Sequence, residues 1–142
     1  MKFIFLFLAI SVFMISSCDE DESQEEVRST SFSIFLRHLE GDCNNTSLNF
    51  TFFLEHSSLG IQETFTLAPG DFIVASTLPF NDGDFLNVQI FAASSENPLH
   101  EANIPMIFNN YTDAQLSSLN NELTISYCHQ EDTGNITWVF DI

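Results

Sequence analysis

Three aspartates beside predicted turns carry carboxylates, and a hard cation such as calcium prefers these oxygen ligands. Asp82 and Asp84 lie in the run Asn81-Asp82-Gly83-Asp84, and Asp71 follows a Pro-Gly turn. Carboxylate and carbonyl oxygens are the usual ligands of calcium, so these three aspartates form a candidate calcium site. The run lacks the alternating acids and the distant Glu of an EF-hand loop, and a type I′ hairpin turn explains the same four residues.

No recognised catalytic motif occurs in the chain. The four histidines, His38, His56, His100 and His129, are scattered, and none has a partner at metal-ligand spacing. A nucleophile elbow, a phosphate loop and a dinucleotide fingerprint are also missing from the sequence. Two acids that converge in the fold could still act as a glycosidase pair. We therefore expect a protein that is not an enzyme, with a small hydrolytic domain as the alternative.

Three phenylalanines fall on the face opposite the apolar stripe of their predicted strands. Phe35, Phe53 and Phe91 could together form an exposed aromatic patch that binds a ligand or partner. The alternative is that these strands carry apolar residues on both faces because both faces are buried. Trp138 shares its phase with Ile136 and the residues that follow it, so the alternation predicts that Trp138 is buried.

The N-terminus has the three parts of a secretory signal. Lys2 supplies a positive charge, residues 3–15 are apolar apart from Ser11, and the small residues Ser16 and Ser17 follow. The apolar run is shorter than the roughly 20 residues that a membrane-spanning helix needs. It therefore predicts export rather than a transmembrane anchor.

The end of this signal resembles a known processing site. Ile15-Ser16-Ser17-Cys18 is similar to the lipobox of bacterial lipoproteins, although Leu is commoner than Ile at its first position. The resemblance implies cleavage just before Cys18 and a diacylglycerol on the Cys18 thiol, which ties the protein to a membrane. A plain secreted protein is the alternative.

An acidic block follows this cysteine. Six of the eight residues after Cys18 are acidic, and such a like-charge block predicts a solvated, extended tether. Its position resembles the export signal of surface-exposed lipoproteins in the Bacteroidota. The resemblance implies a lipid anchor in the outer membrane with the protein on the cell surface, and the periplasmic leaflet is the alternative.

The composition is strongly anionic. The sequence has 3 Lys and Arg residues and 20 Asp and Glu residues, which give a formal net charge of -17. Loss of Lys2 with the signal leaves Arg28 and Arg37 as the only fixed cations of the mature chain. Such a surface repels phosphate backbones, which excludes a nucleic-acid partner, and it offers no basic patch to anionic lipids. The lipid alone must hold the protein at the membrane.

The other two cysteines make an even pair. With Cys18 acylated, Cys43 and Cys128 are left in an oxidising compartment, where a disulfide is the expected state. Their bond would close a loop of roughly 85 residues, which is worth about 4 to 5 kcal/mol in the chain-entropy model. Two free thiols are the alternative.

Alternating apolar runs separated by turn residues recur from residue 30 to the C-terminus. Seven or eight short strands and one short helix capped by Thr112 predict an antiparallel β-sandwich, immunoglobulin-like in the loose sense, with a small closed β-barrel as the alternative. In this pattern we expect Pro79 to end a strand and Pro105 to mark an edge strand or a bulge. The predicted organisation is a signal peptide (1–17), a lipidated acidic tether (18–29) and a sandwich domain (30–142).

These features predict an anchored accessory protein. We expect a lipid-anchored envelope lipoprotein that acts as a non-catalytic binding module for a protein or glycan partner. The alternatives are a structural envelope lipoprotein without a small ligand, and a small calcium-dependent or hydrolytic domain.

Overall fold

The computed structural model describes residues 26–41, 47–118, 120–130 and 133–142. The predicted signal peptide, Cys18 and Cys43 lie outside these residues. The strands and the helix are β1 (Ser29–His38), β2 (Phe50–His56), β3 (Gln62–Leu67), β4 (Phe72–Asn81), β5 (Phe85–Ala92), β6 (His100–Pro105), α1 (Asp113–Leu116), β7 (Glu122–Cys128) and β8 (Asn135–Asp141). In the described part of the chain, no helix is long and apolar enough to span a membrane.

The strands form two separate sheets of four. The first sheet has the order β4-β1-β7-β8, and the second has the order β3-β2-β5-β6. All pairings are antiparallel except that of β1 with β7, which is parallel. The sheets pack face to face and do not close into a barrel, so the predicted β-sandwich is confirmed. The likeness to an immunoglobulin domain is limited to this two-sheet architecture.

The core lies between the two sheets and follows the predicted alternation. In β1 and β2 every second residue is buried, which is the pattern of a strand with one face in the core. Aromatic rings fill the centre: Phe32 packs edge-on against Phe80 at 6.2 Å between ring centroids and stacks on Phe108 at 5.9 Å. Such pairs add stabilisation beyond the apolar area that they bury.

Pro79 and Pro105 both lie in edge strands, where proline is tolerated. Pro105 is the last residue of β6, which is an edge strand of the second sheet, as predicted. Pro79 does not end its strand: β4 continues to Asn81, and Pro79 pairs with Ser31. This prediction was wrong because β4 is also an edge strand, where a missing backbone N–H need not cost a ladder hydrogen bond.

Two further local predictions need correction. The turn between β4 and β5 has a positive φ at Gly83 (91°), but no described non-glycine residue has one, so Asp82 cannot belong to a type I′ turn. Trp138 keeps the predicted inward phase, since it pairs with buried Ile125. It is nevertheless 38% exposed, because β8 is an edge strand and its inward side chains are covered on one side only.

One end of the sandwich receives the chain from the N-terminal segment, and we call it the tether end. Arg28 precedes β1 there, and its guanidinium donates to the Phe108 carbonyl and to Asp113 Oδ1, both at 2.9 Å. Thr112 caps α1 as predicted, in a capping box with Gln115. The Arg28 contacts hold the start of β1 against α1, so the N-terminal segment leaves the domain at a defined point.

Candidate functional site

The three aspartates of the candidate calcium site do not lie together. Asp82 and Asp84 are in the turn that follows β4, whereas Asp71 precedes β4 at its other end. The ten residues of β4 separate them by about 30 Å at the usual rise of a strand. Among the described residues, no group of three His, Cys, Asp or Glu side chains could hold a metal ion.

Each of these carboxylates already accepts hydrogen bonds from the backbone. Asp71 Oδ2 accepts from the Ala68 N–H at 2.7 Å, and Asp82 Oδ1 accepts from the Phe108 N–H at 2.7 Å. Asp84 accepts from the Asn81 N–H at 2.8 Å and from the Ser58 hydroxyl. The contacts of these aspartates are those of turn-forming residues.

The three phenylalanines of the candidate aromatic patch divide between the two sheets. Phe53 in β2 and Phe91 in β5 face outward on the second sheet, where Phe53 pairs with Gln89 and Phe91 with Thr51. Phe35 in β1 faces outward on the first sheet, on the other side of the domain. The three side chains therefore cannot contact one ligand together.

The outer face of the first sheet carries its own apolar side chains. Phe35 stacks on Phe72 at 5.5 Å between ring centroids, and Phe72 is 58% exposed. Val74 pairs with Phe35 and is 62% exposed, and Val139 of β8 is also exposed. These apolar side chains share the face with Arg37, which pairs with Phe72, and with polar residues such as Ser33 and its partner Thr77.

The two cysteines of the candidate disulfide are only partly described. Cys128 is the last residue of β7. Cys43 also lies outside them. The Cys43–Cys128 disulfide therefore stays a prediction.

Three of the four histidines gather at the end of the sandwich opposite the tether end, and we call this the histidine end. The rings of His38, His100 and His129 lie around the ring of Tyr127, at centroid distances of 5.9, 5.7 and 6.1 Å. They come from β1, β6 and the residue after β7, so their spacing along the chain gave no sign of this cluster. Only the register of the two sheets brings them together.

Hydrogen bonds hold the histidine end in one arrangement. The Gly134 N–H donates to His100 Nε2 at 3.1 Å, which requires the neutral ring with its proton on Nδ1. The His38 Nδ1–H faces the Leu67 carbonyl at 3.3 Å, and the Tyr127 hydroxyl contacts His129 Nδ1 at 3.0 Å. Burial raises the pKa of Tyr127 to about 12, so its hydroxyl keeps its proton near neutral pH.

The surroundings favour the neutral forms of two of these histidines. Burial lowers the pKa of His100, and the neighbouring charge of His129 lowers it further. Burial also lowers the pKa of His38, and the charge of His129 lowers it further. Hydrogen bonds to the Leu67 and Ala68 carbonyls and the charge of Asp71 act in the opposite direction, but the pKa stays below its usual value. Protonation of either ring therefore acts against the folded state.

A shallow groove of about 490 Å³ lies on the outer face of the second sheet, in the half nearer the tether end. We call it the amide groove, and it is lined by Glu55, Ser57, Phe85, Asn87 and Asn103. The register explains its composition: Asn87 pairs with Glu55 on one side and with Asn103 on the other. Three adjacent strands thus place polar side chains in one row, with the ring of Phe85 beside it.

Contacts within the sheet orient two side chains of the amide groove. Gln62 Nε2 donates to Glu55 Oε1 at 2.7 Å, which orients the carboxylate. The Phe85 N–H donates to Ser57 Oγ at 2.9 Å, and the Ser57 N–H donates to the Phe85 carbonyl at 3.0 Å. Asn87 Oδ1 is buried and has no hydrogen-bond partner among the described residues.

Comparisons with known proteins give no family for this chain. No family model matches it, and no curated protein and no solved structure matches it either. The geometry of the domain is therefore the basis for assigning its function.

Gly134 should not tolerate even a methyl group. A Cβ at this position would lie 2.1 Å from His100 Nε2 and 2.7 Å from Tyr127 Oη. We expect Gly134→Ala to lower the free energy of unfolding by about 1–3 kcal/mol, the usual cost of overpacking, as measured by urea denaturation. In the double variant with His100→Ala, the loss should be smaller than the sum of the single losses, because the ring that the methyl group meets is gone. Additive losses would show that the two residues are not in contact.

The histidine end should make stability depend on pH. The pKa values of His38 and His100 are lowered in the folded state, so below about pH 6.5 the unfolded chain binds more protons than the folded chain. This contribution to stability is complete above that pH and is lost as the pH falls towards the folded-state pKa values.

We expect urea denaturation to show a falling free energy of unfolding from neutral pH to about pH 5.5. The fall should be smaller in His100→Asn. An equal fall in the variant and the parent would contradict the assignment to His100.

Proposed function

We propose that this chain is a lipid-anchored, surface-displayed binding module that is not an enzyme. It is held by a diacylglycerol on Cys18 and presents the amide groove to its ligand. The carrying observation is the row of polar side chains that three adjacent strands place beside Phe85 on an outer face of the sandwich. Polar groups set in position beside an aromatic ring are what a binding site needs to orient a ligand.

The anchor is supported by the sequence and is compatible with the position of the groove. The motif at Ile15-Ser16-Ser17-Cys18 leads through an acidic tether to Arg28, which is bound to the tether end. The amide groove lies on the outer face of the second sheet, whereas β1, which follows the N-terminal segment, lies in the first sheet. A tethered domain can therefore offer this face to solvent while its N-terminus stays at the membrane.

The proposed Cys43–Cys128 disulfide would stabilise the histidine end. Cys128 is the last residue of β7, at the histidine end. Cys43 is the candidate that lipidation leaves available. A bond there would fix the loop that follows β1 to the end of β7, next to the ring cluster around Tyr127.

Metabolic labelling tests the anchor. We expect radiolabelled palmitate to be incorporated into the full chain when it is expressed in a bacterium that processes lipoproteins. The label should disappear in Cys18→Ala and persist in Cys43→Ala, since only the first thiol follows the lipobox-like motif. Label that persists in Cys18→Ala would refute the anchor.

Retention on cell-envelope material tests the binding role of the amide groove. The mature chain should be retained by envelopes of the source bacterium, and Asn103→Ala together with Phe85→Ala should weaken retention by about tenfold or more. Both side chains are exposed, so their loss should leave the fold intact. The matched controls are Asn135→Ala and Phe72→Ala, an exposed Asn and an exposed Phe on the first sheet. Equal retention of the groove variant and the controls would refute this role.

A further inference from the structure

We infer that the amide groove binds a neutral oligosaccharide. This inference rests on the proposed binding function and adds the chemical class of the ligand. The chemistry of the lining decides it: two carboxamides, one hydroxyl, one carboxylate and one aromatic ring meet on an open surface. A sugar ring presents hydroxyl groups at its edge and C–H groups on its face, and it can therefore use each of these side chains.

The amides suit the hydroxyl groups of a sugar. Asn87 and Asn103 are directly paired across β5 and β6, so their side chains lie about 5 Å apart on one face. Each carboxamide both donates and accepts hydrogen bonds, as a hydroxyl group does. A neighbouring pair of hydroxyls can thus bond to both amides, because each hydroxyl donates and accepts as each carboxamide does.

The aromatic ring suits the apolar face of a sugar. Phe85 is 48% exposed, and its backbone is fixed to Ser57 by a hydrogen bond in each direction. It pairs with Pro105 of β6, so an apolar strip borders the row of amides. Packing of C–H groups on this strip would bury apolar area without disturbing the hydrogen bonds at the edge of the sugar.

The charge of the groove selects a neutral ligand. Glu55 is the charged member of the lining, and its Oε1 already accepts from Gln62. The carboxylate would repel a phosphate, a sulfate or a uronic acid, and the net charge of -17 adds to that repulsion. A cationic peptide could form one ion pair in the lining, with Glu55, and an exposed ion pair contributes little to affinity.

The dimensions of the groove fit a short chain of sugars rather than one enclosed ring. A volume of about 490 Å³ is in the range of ligand sites. The polar row continues beyond the groove, since Gln62 of β3 pairs with Glu55. Four adjacent strands at their usual spacing make a row about 14 Å long. An open row of this length accepts a chain that enters and leaves at the two edges of the sheet.

NMR spectroscopy of the mature, isotope-labelled chain tests this inference. The probes are cellohexaose, maltohexaose, xylohexaose, mannohexaose and laminarihexaose, with hexagalacturonate and hexalysine as charged probes. We expect at least one neutral oligosaccharide, at millimolar concentration, to shift the side-chain amide signals of Asn87 and Asn103. Asn103→Ala and Phe85→Ala should each weaken its binding by about tenfold or more, whereas Asn135→Ala and Phe72→Ala should leave it unchanged.

Three outcomes would overturn the inference. The first is that no neutral oligosaccharide shifts these amide signals. The second is that hexalysine shifts them and that added salt removes the effect, which would assign a cationic peptide instead. The third is that the shifts map to another surface. If retention on envelopes still depends on the amide groove in any of these cases, the binding function stands and only the ligand class falls.

Discussion

The position of β1 in the middle of the first sheet is the constraint on which the other features depend. β1 lies between β4 and β7, antiparallel to one and parallel to the other, and it buries Phe32, Ile34 and Leu36 in the core. Its first residue lies at the tether end and its last at the histidine end. Because β1 crosses the whole domain, the N-terminal segment must emerge at the end opposite His38. If β1 paired with other strands, different residues would lie at the two ends of the sandwich and on its two outer faces.

Side-chain hydrogen bonds to the backbone close both ends of the sandwich. At the tether end, Arg28 donates to the Phe108 carbonyl, Asp82 accepts from the Phe108 N–H, and the buried ring of His56 accepts from the Ser58 N–H. At the histidine end, imidazole rings take the same role, and His100 accepts a backbone N–H only while it is neutral. An imidazole ring therefore accepts a backbone N–H at each end of the domain.

The sequence predicts the parts of this fold that are local, and it fails where distant residues meet. Alternation in β1 and β2, the Thr112 cap and the edge position of Pro105 were all predictable, because each is decided by neighbours along the chain. The division of Phe35 from Phe53 and Phe91 was not, since the sheet of a strand does not follow from its own pattern.

The amide groove was missed for the same reason. Asn87, Asn103 and Glu55 are ordinary outward polar residues in their own strands, and only the register sets them in one row. The histidine cluster is a further case: His38, His100 and His129 lie 29 or more residues apart along the chain. A sequence signal for the groove did exist in the repeated amides of β5 and β6, but it needed the strand pairing to be interpreted.

The edges of the two sheets favour binding on a face over binding by strand addition. An edge strand exposes unpaired backbone groups that another strand can extend, and proline or an inward-pointing charge on the edge blocks this. β4 carries Pro79, β6 carries Pro105, and β3 directs Glu63 inward opposite Leu54. Three of the four edge strands thus carry a residue that opposes a new strand. Under the proposed function, the ligand is then recognised by side chains on an outer face, where the second sheet carries the row of Gln62, Glu55, Asn87 and Asn103.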